Sequence, residues 1–111
     1  MKLNELLGIK YPLIQGGMAN IATGEFAAAI SNAGGLGLIA SGSMNGEAVR
    51  EQIRACRAKT DKPFGVNIMM MNQHLEEISQ VVIEEKVPVT RVNTLPLGKK
   101  QVSRFFLLLQ P

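Results

Sequence analysis

The sequence is poor in the features that stabilise secreted and membrane-spanning proteins. A single cysteine, Cys56, excludes an internal disulfide framework and suits a reducing compartment. The longest apolar runs reach only about five residues, whereas a helix that crosses a bilayer needs roughly 20. The first residues lack the apolar core and small-residue cleavage site of a signal peptide, so we expect a cytoplasmic protein with no membrane partner.

Tryptophan is absent and aromatic residues make up only 5% of the chain, yet the overall composition is that of a folded domain. Apolar residues account for 46% and charged residues for 19% of the 111 positions, which excludes a disordered chain. The chain contains 11 glycines and six methionines. This composition suits an α/β protein whose loops bring their backbone close to a ligand.

Acidic residues are missing from the last part of the chain. Residues 1–85 contain seven Lys/Arg and nine Asp/Glu, a net charge of −2, whereas residues 86–111 contain five Lys/Arg and no acid, a net charge of +5. The isoelectric point near 9.3 is therefore a property of the tail. A basic tail can bind nucleic acid, but this one lacks interleaved aromatic residues and any known motif, so we expect no nucleic-acid partner.

Apolar runs alternate with amphipathic segments, which predicts a parallel α/β fold. Strands are predicted at 13–15, 36–40, 64–68 and 87–90, and helices at 3–7, 23–33, 46–59 and 72–85. We expect Thr23, Asn45 and Asn72 to cap the N-termini of the last three helices. Gly34 is expected to end the helix at 23–33 in a left-handed conformation. Alternation of this kind requires parallel strands joined by crossover helices, in the order β-α-β-α-β-α-β.

The first predicted strand ends in two glycines, Gly16 and Gly17. Glycine allows unusual φ values and lets a ligand approach the main chain, so this segment is a candidate ligand-facing loop. A simple tight turn explains the same two residues equally well. Met69 to Met71 follow the third strand and are interpreted as core or pocket wall, because methionine fills irregular gaps, rather than as a mobile substrate loop.

Three motifs, in order and spacing, resemble the FMN-dependent enoyl-acyl carrier protein reductase II and nitronate monooxygenase family. They are QGGMA at 15–19, AGGLG at 33–37 and KPFGVNI at 62–68, within a resemblance that covers about residues 5–85. The reductase branch is the more similar, through DKPFGVNIM at 61–69 and VIEE at 82–85. The resemblance implies a (β/α)₈ TIM barrel that binds FMN. It also implies that Gly16, Gly17 and Met18 contact the flavin from the end of the first strand, and that Asn67 hydrogen-bonds it from the third.

The activity implied by the resemblance is reduction of a trans-2-enoyl thioester on acyl carrier protein, with NAD(P)H as reductant, in fatty acid synthesis. Oxidative denitrification of alkyl nitronates is the alternative, because both branches share these motifs. FMN is thus the expected small-molecule partner, and an acyl carrier protein thioester is the expected substrate of the full-length family.

The family's later motifs are missing, namely a glycine-rich loop after the fourth strand, a catalytic histidine and a phosphate site. The only histidine, His74, matches no catalytic position and is interpreted as a surface residue near a helix start, so no catalytic residue is assigned. Cys56 is interpreted as a helix residue packed on the sheet rather than a reactive thiol. No group of residues has metal-ligand spacing, and no metal site is expected.

The chain is therefore expected to hold about the first half of the barrel, at residues 1–90, followed by an irregular basic and apolar tail at 91–111. We expect the inner face of such a half barrel to be exposed, so that the chain is inactive alone and forms aggregates or dimers. A dimer that binds flavin or phosphate without catalysis is the non-enzymatic alternative. For the tail, one hypothesis is a frameshift near residues 86–90, because residues 100–111 can be encoded so that a shifted reading frame yields a peptide resembling the family's next helix and strand.

Overall fold

A four-stranded sheet covered by three helices on one face and by a short helix on the other forms the described part of the chain. The computed structural model describes residues 2–16, 21–93 and 108–109. The helices are α1 (Leu3–Leu7), α2 (Gly24–Asn32), α3 (Gly46–Lys59) and α4 (Leu75–Glu84). The strands are β1 (Gly37–Ala40), β2 (Phe64–Met69), β3 (Val89–Asn93) and β4 (Leu108–Leu109).

The strands lie in the order β1-β2-β3-β4, and β2 pairs in parallel with both β1 and β3. The predicted parallel α/β arrangement is therefore confirmed. β3 continues three residues beyond the predicted end at Thr90, and β4 pairs antiparallel to it, opposite Val89 and Thr90. The predicted irregular tail thus includes two short strand segments, at 91–93 and 108–109, while its other residues lie outside the described part of the chain.

The predicted first strand at 13–15 is wrong as a regular strand, because the segment makes only an isolated parallel bridge between Ile14 and Leu36. Two backbone hydrogen bonds form it, from the Leu36 N–H to the Leu13 carbonyl at 2.8 Å and from the Gln15 N–H to the Leu36 carbonyl at 3.0 Å. Further along, the side chain of Gln15 binds the backbone of Leu38. A side-chain amide thus replaces the next step of the ladder.

Two of the predicted helix caps are confirmed. Thr23 Oγ1 accepts a hydrogen bond from the Phe26 N–H at 3.3 Å, and Asn45 Oδ1 accepts one from the Ala48 N–H at 2.9 Å. The predicted cap at Asn72 is wrong, since α4 begins at Leu75 and the Asn72 amide binds a neighbouring loop instead. Gly34 has a φ of +108° after α2, as expected.

The main core lies between the sheet and the outer helices. Cys56 of α3 is fully buried there, and burial raises the pKa of its thiol to about 11, so the thiol stays protonated at neutral pH. The interpretation of Cys56 as a packing residue is therefore confirmed. The other fully buried large side chains of this core are Ile39, Val49, Ile53, Val66, Ile78 and Val87.

The opposite face of the sheet is also buried, and the expectation that it would be exposed is wrong for these residues. Leu38 and Val89 are 1% and 2% exposed. They form a second cluster with Leu36 and with Leu7 and Ile9, which α1 and the turn after it bring onto this face. Gly65 lets this cluster close, because a Cβ there would lie 2.7 Å from the Leu38 side chain.

An ion network joins α3 to the end of α4. Glu85 Oε1 lies 2.8 Å from Arg50 Nη1 and 3.2 Å from Arg54 Nη2, and Glu85 Oε2 lies 3.2 Å from Arg57 Nη1. Arg50 also contacts Glu84 at 2.6 Å. Within α3, Arg50 Nε lies 3.7 Å from Glu47 Oε1. The guanidinium groups of α3 mainly contact α4, because the two helices pack side by side on the sheet.

The side chain of Glu85 is 13% exposed, and the hydrogen bond from Arg50 lowers the pKa of its carboxyl. A lowered pKa in the folded state means that the carboxylate contributes stability above its unfolded pKa of about 4.3, and that this contribution is lost as the pH falls further. We expect the urea midpoint of the chain to decrease as the pH is lowered from 5 to 3. Glu85→Gln is expected to lower the midpoint at pH 7 and to make it less dependent on pH. Unfolding curves at several pH values measure both effects.

Glu51→Gln on the exposed face of α3 is the matched control, since Glu51 takes part in none of these contacts. Identical pH profiles for Glu85→Gln and the unmodified chain would contradict the assignment.

Candidate functional site

The carboxyl ends of β1 and β2 lie side by side because the two strands are parallel. Ala40 pairs with Asn67, and Asn67 pairs with Arg91 on β3. Ser41 follows β1 and donates two hydrogen bonds to the Asn67 carbonyl, from its hydroxyl at 2.8 Å and from its N–H at 3.2 Å. Ser41 is fully buried. Because Ser41 binds the Asn67 carbonyl from one side and β3 pairs with β2 on the other, the main chain at Asn67 is held from both neighbouring strands.

The side chain of Asn67 is buried but incompletely bonded. Asn67 is 4% exposed, and its side-chain oxygen has no hydrogen-bond partner among the described residues. Because side chains alternate along a strand, Asn67 lies on the same face as Gly65, beyond the apolar cluster of Leu38 and Val89. A buried amide oxygen without a partner costs about 1–3 kcal/mol, so a ligand that donates a hydrogen bond there would remove this cost.

Gln15 fixes the segment that precedes the glycines. Its Oε1 accepts from the Leu38 N–H at 3.0 Å, and its Nε2 donates to the Leu38 carbonyl at 3.1 Å. The same Nε2 donates to the Gly16 carbonyl at 2.8 Å. Gln15 is part of the recognised motif, but sequence reasoning assigned it no role. The signal that marks it is a long amide side chain directly before the two glycines, at the end of the predicted first strand.

Gly16 stands at an open edge of the described structure, where an added Cβ would meet no atom within 4 Å. No close approach within the described residues therefore requires a glycine at this position. Gly17 and Met18, the other predicted site residues of this loop, lie outside the described residues. Of the predicted site residues, Gly16 and Asn67 are thus described, each next to β1.

An open cavity of about 450 Å³ lies at the same edge of the sheet. It is formed by the loop after β1 and the loop after β2, and its lining includes Met69 and Met71. The interpretation of the methionines as pocket wall is confirmed for Met69 and Met71, whereas Met70 is exposed and is not part of the lining. Cavities of about 360 and 490 Å³ at the opposite edge share Lys62 and Pro63, in the turn before β2.

His74 stands just before α4, with its Nδ1 3.6 Å from the Glu77 carboxylate. This i, i+3 contact at a helix start agrees with the interpretation of His74 as a surface residue. In the described segments, no group of His, Cys, Asp and Glu is arranged to hold a metal ion, and no helix is long and apolar enough to cross a bilayer.

Comparison with known proteins identifies similar sequences. The family model described as Nitronate monooxygenase matches residues 1–104. A nitronate monooxygenase of Paraburkholderia phytofirmans is 52% identical over 63 residues, 57% of this chain and 17% of the relative. A (3aS,4S,5R,7aS)-5-hydroxy-7a-methyl-1-oxo-octahydro-1H-indene-4-carboxyl-CoA dehydrogenase of Mycobacterium tuberculosis is 39% identical over 99 residues, 89% of this chain and 27% of that protein.

Solved structures with the same fold include FabK from Thermotoga maritima, with a TM-score of 0.79 and 48% identity over 81% of this chain and 29% of that one. Nitroalkane oxidase from Streptomyces ansochromogenes has a TM-score of 0.76 and 23% identity, over 84% of this chain and 36% of that one, and shows likeness of fold alone. The chain thus spans from 17% to 36% of these four proteins. The expected fold, a partial (β/α)₈ barrel, is confirmed.

The Gln15 amide provides a test of how the first segment is held. Gln15→Met keeps the length of the side chain but leaves the Leu38 N–H and carbonyl without these partners. We expect a loss of about 1–3 kcal/mol in the free energy of unfolding, measured by urea denaturation. Gln80→Met on the exposed side of α4 is the matched control and should change stability by less than about 0.5 kcal/mol. Equal effects of the two substitutions would contradict the role of Gln15.

Proposed function

This chain belongs to the nitronate monooxygenase family, and on that premise we propose that it forms the part of an FMN-binding barrel that contacts the isoalloxazine ring. The observation that carries the proposal is the buried oxygen of Asn67, which has no hydrogen-bond partner among the described residues. It lies at the carboxyl edge of a parallel sheet, where barrel enzymes bind their ligands.

The residues at this edge fit a flavin. The isoalloxazine ring carries an N–H in its pyrimidine portion, which is the donor that the Asn67 oxygen lacks. Gly16 leaves open space beside β1 among the described residues. The proposed ring contacts of Gly17 and Met18 rest on the family motif alone, since both lie outside the described residues. When bound, FMN supplies hydride transfer between a nicotinamide and the substrate.

The chain's own residues would bind and orient the ring. Ser41 holds the main chain of Asn67, and Gln15 holds Gly16 against β1, so both contacts are positioned before the ligand arrives. Pre-positioned polar groups cost little reorganisation when the ligand binds. Neither His74 nor the protonated Cys56 thiol lies in this group of residues, and no proton-transfer step is assigned to the chain.

For the complete protein, we propose NAD(P)H-dependent reduction of a trans-2-enoyl thioester carried by acyl carrier protein. The 48% identity with FabK, an enoyl-ACP reductase II, over 81% of the chain supports this reaction. Monooxygenation of nitronates is the second candidate, supported by the family model and by 52% identity to a nitronate monooxygenase over 63 residues. A dimeric flavin-binding module without catalysis is the third candidate, because no described residue of the chain is assigned a catalytic role.

Flavin binding tests the role of Asn67. Asn67→Leu removes the oxygen but keeps the branching pattern of the side chain, and we expect FMN to bind about tenfold more weakly, as measured by quenching of FMN fluorescence. Thr90→Val is the matched control, because Thr90 is equally buried but pairs with Val66, on the helix-covered face of the sheet. Unchanged FMN affinity in Asn67→Leu, with the fold intact by circular dichroism, would overturn the proposed contact.

Activity distinguishes the candidate reactions. We expect the chain alone to consume neither NAD(P)H with a crotonyl thioester nor oxygen with an alkyl nitronate, because none of its described residues is assigned a catalytic role. A chimera in which residues 1–93 replace the matching segment of Thermotoga maritima FabK is expected to oxidise NAD(P)H with the crotonyl thioester. Oxygen uptake with the nitronate, and no thioester reduction, would favour the second candidate. A yellow dimer of the chain on size exclusion, without either activity, would favour the third.

A further inference from the structure

We propose that the cavity formed by Gly42, Ser43, Met69, Met71, Asn72 and Gln73 binds the apolar chain of the substrate. The inference deepens the proposed function and rests on it, since the reacting end of the substrate would lie at the Asn67 edge of the sheet. The ligand of this cavity would be a substrate with an extended hydrocarbon chain rather than a small nitroalkane.

The cavity lies directly beside the proposed flavin contact. Met69 follows Asn67 by two positions on β2, so their side chains lie on the same face of the sheet. Gly42 and Ser43 follow Ser41, which binds the Asn67 carbonyl. A substrate whose reacting atoms lie near Asn67 would therefore extend along this face of the sheet toward the cavity.

The lining suits a hydrocarbon chain and not a charged group. None of the described residues that line the cavity carries a charge, so the cavity offers no ion-pair partner for a phosphate or a carboxylate. Met69 is 39% and Met71 66% exposed, which leaves apolar thioether side chains in water that a bound chain would cover. Methionine side chains are flexible and adapt to ligands of different length and shape.

Asn72 holds the two loops of the cavity together. Its Nδ2 donates to the Gly42 carbonyl at 2.8 Å and to the Met44 carbonyl at 3.0 Å, both in the loop after β1. Its own N–H donates to the Met69 carbonyl at 3.0 Å, and its Oδ1 accepts from the His74 N–H at 2.7 Å. The backbone walls are thus fixed by one side chain, while the methionines remain free to adjust.

Binding of saturated N-acetylcysteamine thioesters with four, six, eight and ten acyl carbons tests the inference. Isothermal titration calorimetry on the full chain, with and without saturating FMN, measures each affinity below the aggregation limit of the thioester. We expect each added methylene to strengthen binding by about threefold to fourfold until the cavity is filled. Met71→Gln is expected to reduce this gain with chain length at least by half.

Met70→Gln is the matched control, because Met70 is a neighbouring methionine, 44% exposed, that does not line the cavity. An affinity that is independent of chain length, or an equal loss in both variants, would overturn the inference. If FMN binds and the affinity does not depend on chain length, the inference fails while the proposed function stands. If FMN does not bind but the chain-length dependence and its sensitivity to Met71→Gln persist, the cavity is supported and the flavin proposal fails.

Discussion

The parallel pairing of β1 with β2 determines where every proposed contact of this chain lies. Its register sets Asn67 opposite Ala40, so that Ser41, the first residue after β1, reaches the Asn67 carbonyl with both its hydroxyl and its N–H. The loops that leave the two strands emerge at the same edge, where Asn72 joins them. A shift of one residue in this register would turn Asn67 toward the helices and separate the two loops.

The two edges of the sheet differ in how completely their groups are bonded. At the amino edge, Leu7 and Ile9 cover the inner face, and Gly65 allows Leu38 and Val89 to close over it. At the carboxyl edge, the buried side-chain oxygen of Asn67 lacks a hydrogen-bond partner among the described residues, and the side chains of Met69 and Met71 are partly exposed to solvent. This difference matches the division of labour in barrels, in which one edge supports stability and the other carries ligands.

The outer helices add a second support that does not depend on the site. Glu85 gathers three arginines of α3, and Arg57 also donates to the carbonyls of Glu85 and Lys86 at the end of α4. Lys86 has a φ of +53°, a left-handed conformation that is rare outside glycine, and these hydrogen bonds hold the turn around it. The turn leads directly into β3, so the network helps to place the third strand of the sheet.

Local sequence determined the alternation of strands and helices, because a period of two or of 3.6 apolar residues depends only on neighbours along the chain. The caps at Thr23 and Asn45 followed from the same local rules, as did the packing of Cys56 on one face of α3. The family motifs at 15–19, 33–37 and 62–68 then predicted a partial barrel, which the comparisons confirm.

Only the tertiary structure decided how side chains from distant segments meet. Gln15 replaces a step of the ladder with its amide, Asn72 joins two loops instead of capping α4, and α1 buries the face that was expected to be exposed. Each of these results joins groups that lie about 23 to 80 residues apart, and no local periodicity encodes such a distance. The partners available to a long polar side chain depend on which strands become neighbours, and that is settled only when the sheet has formed.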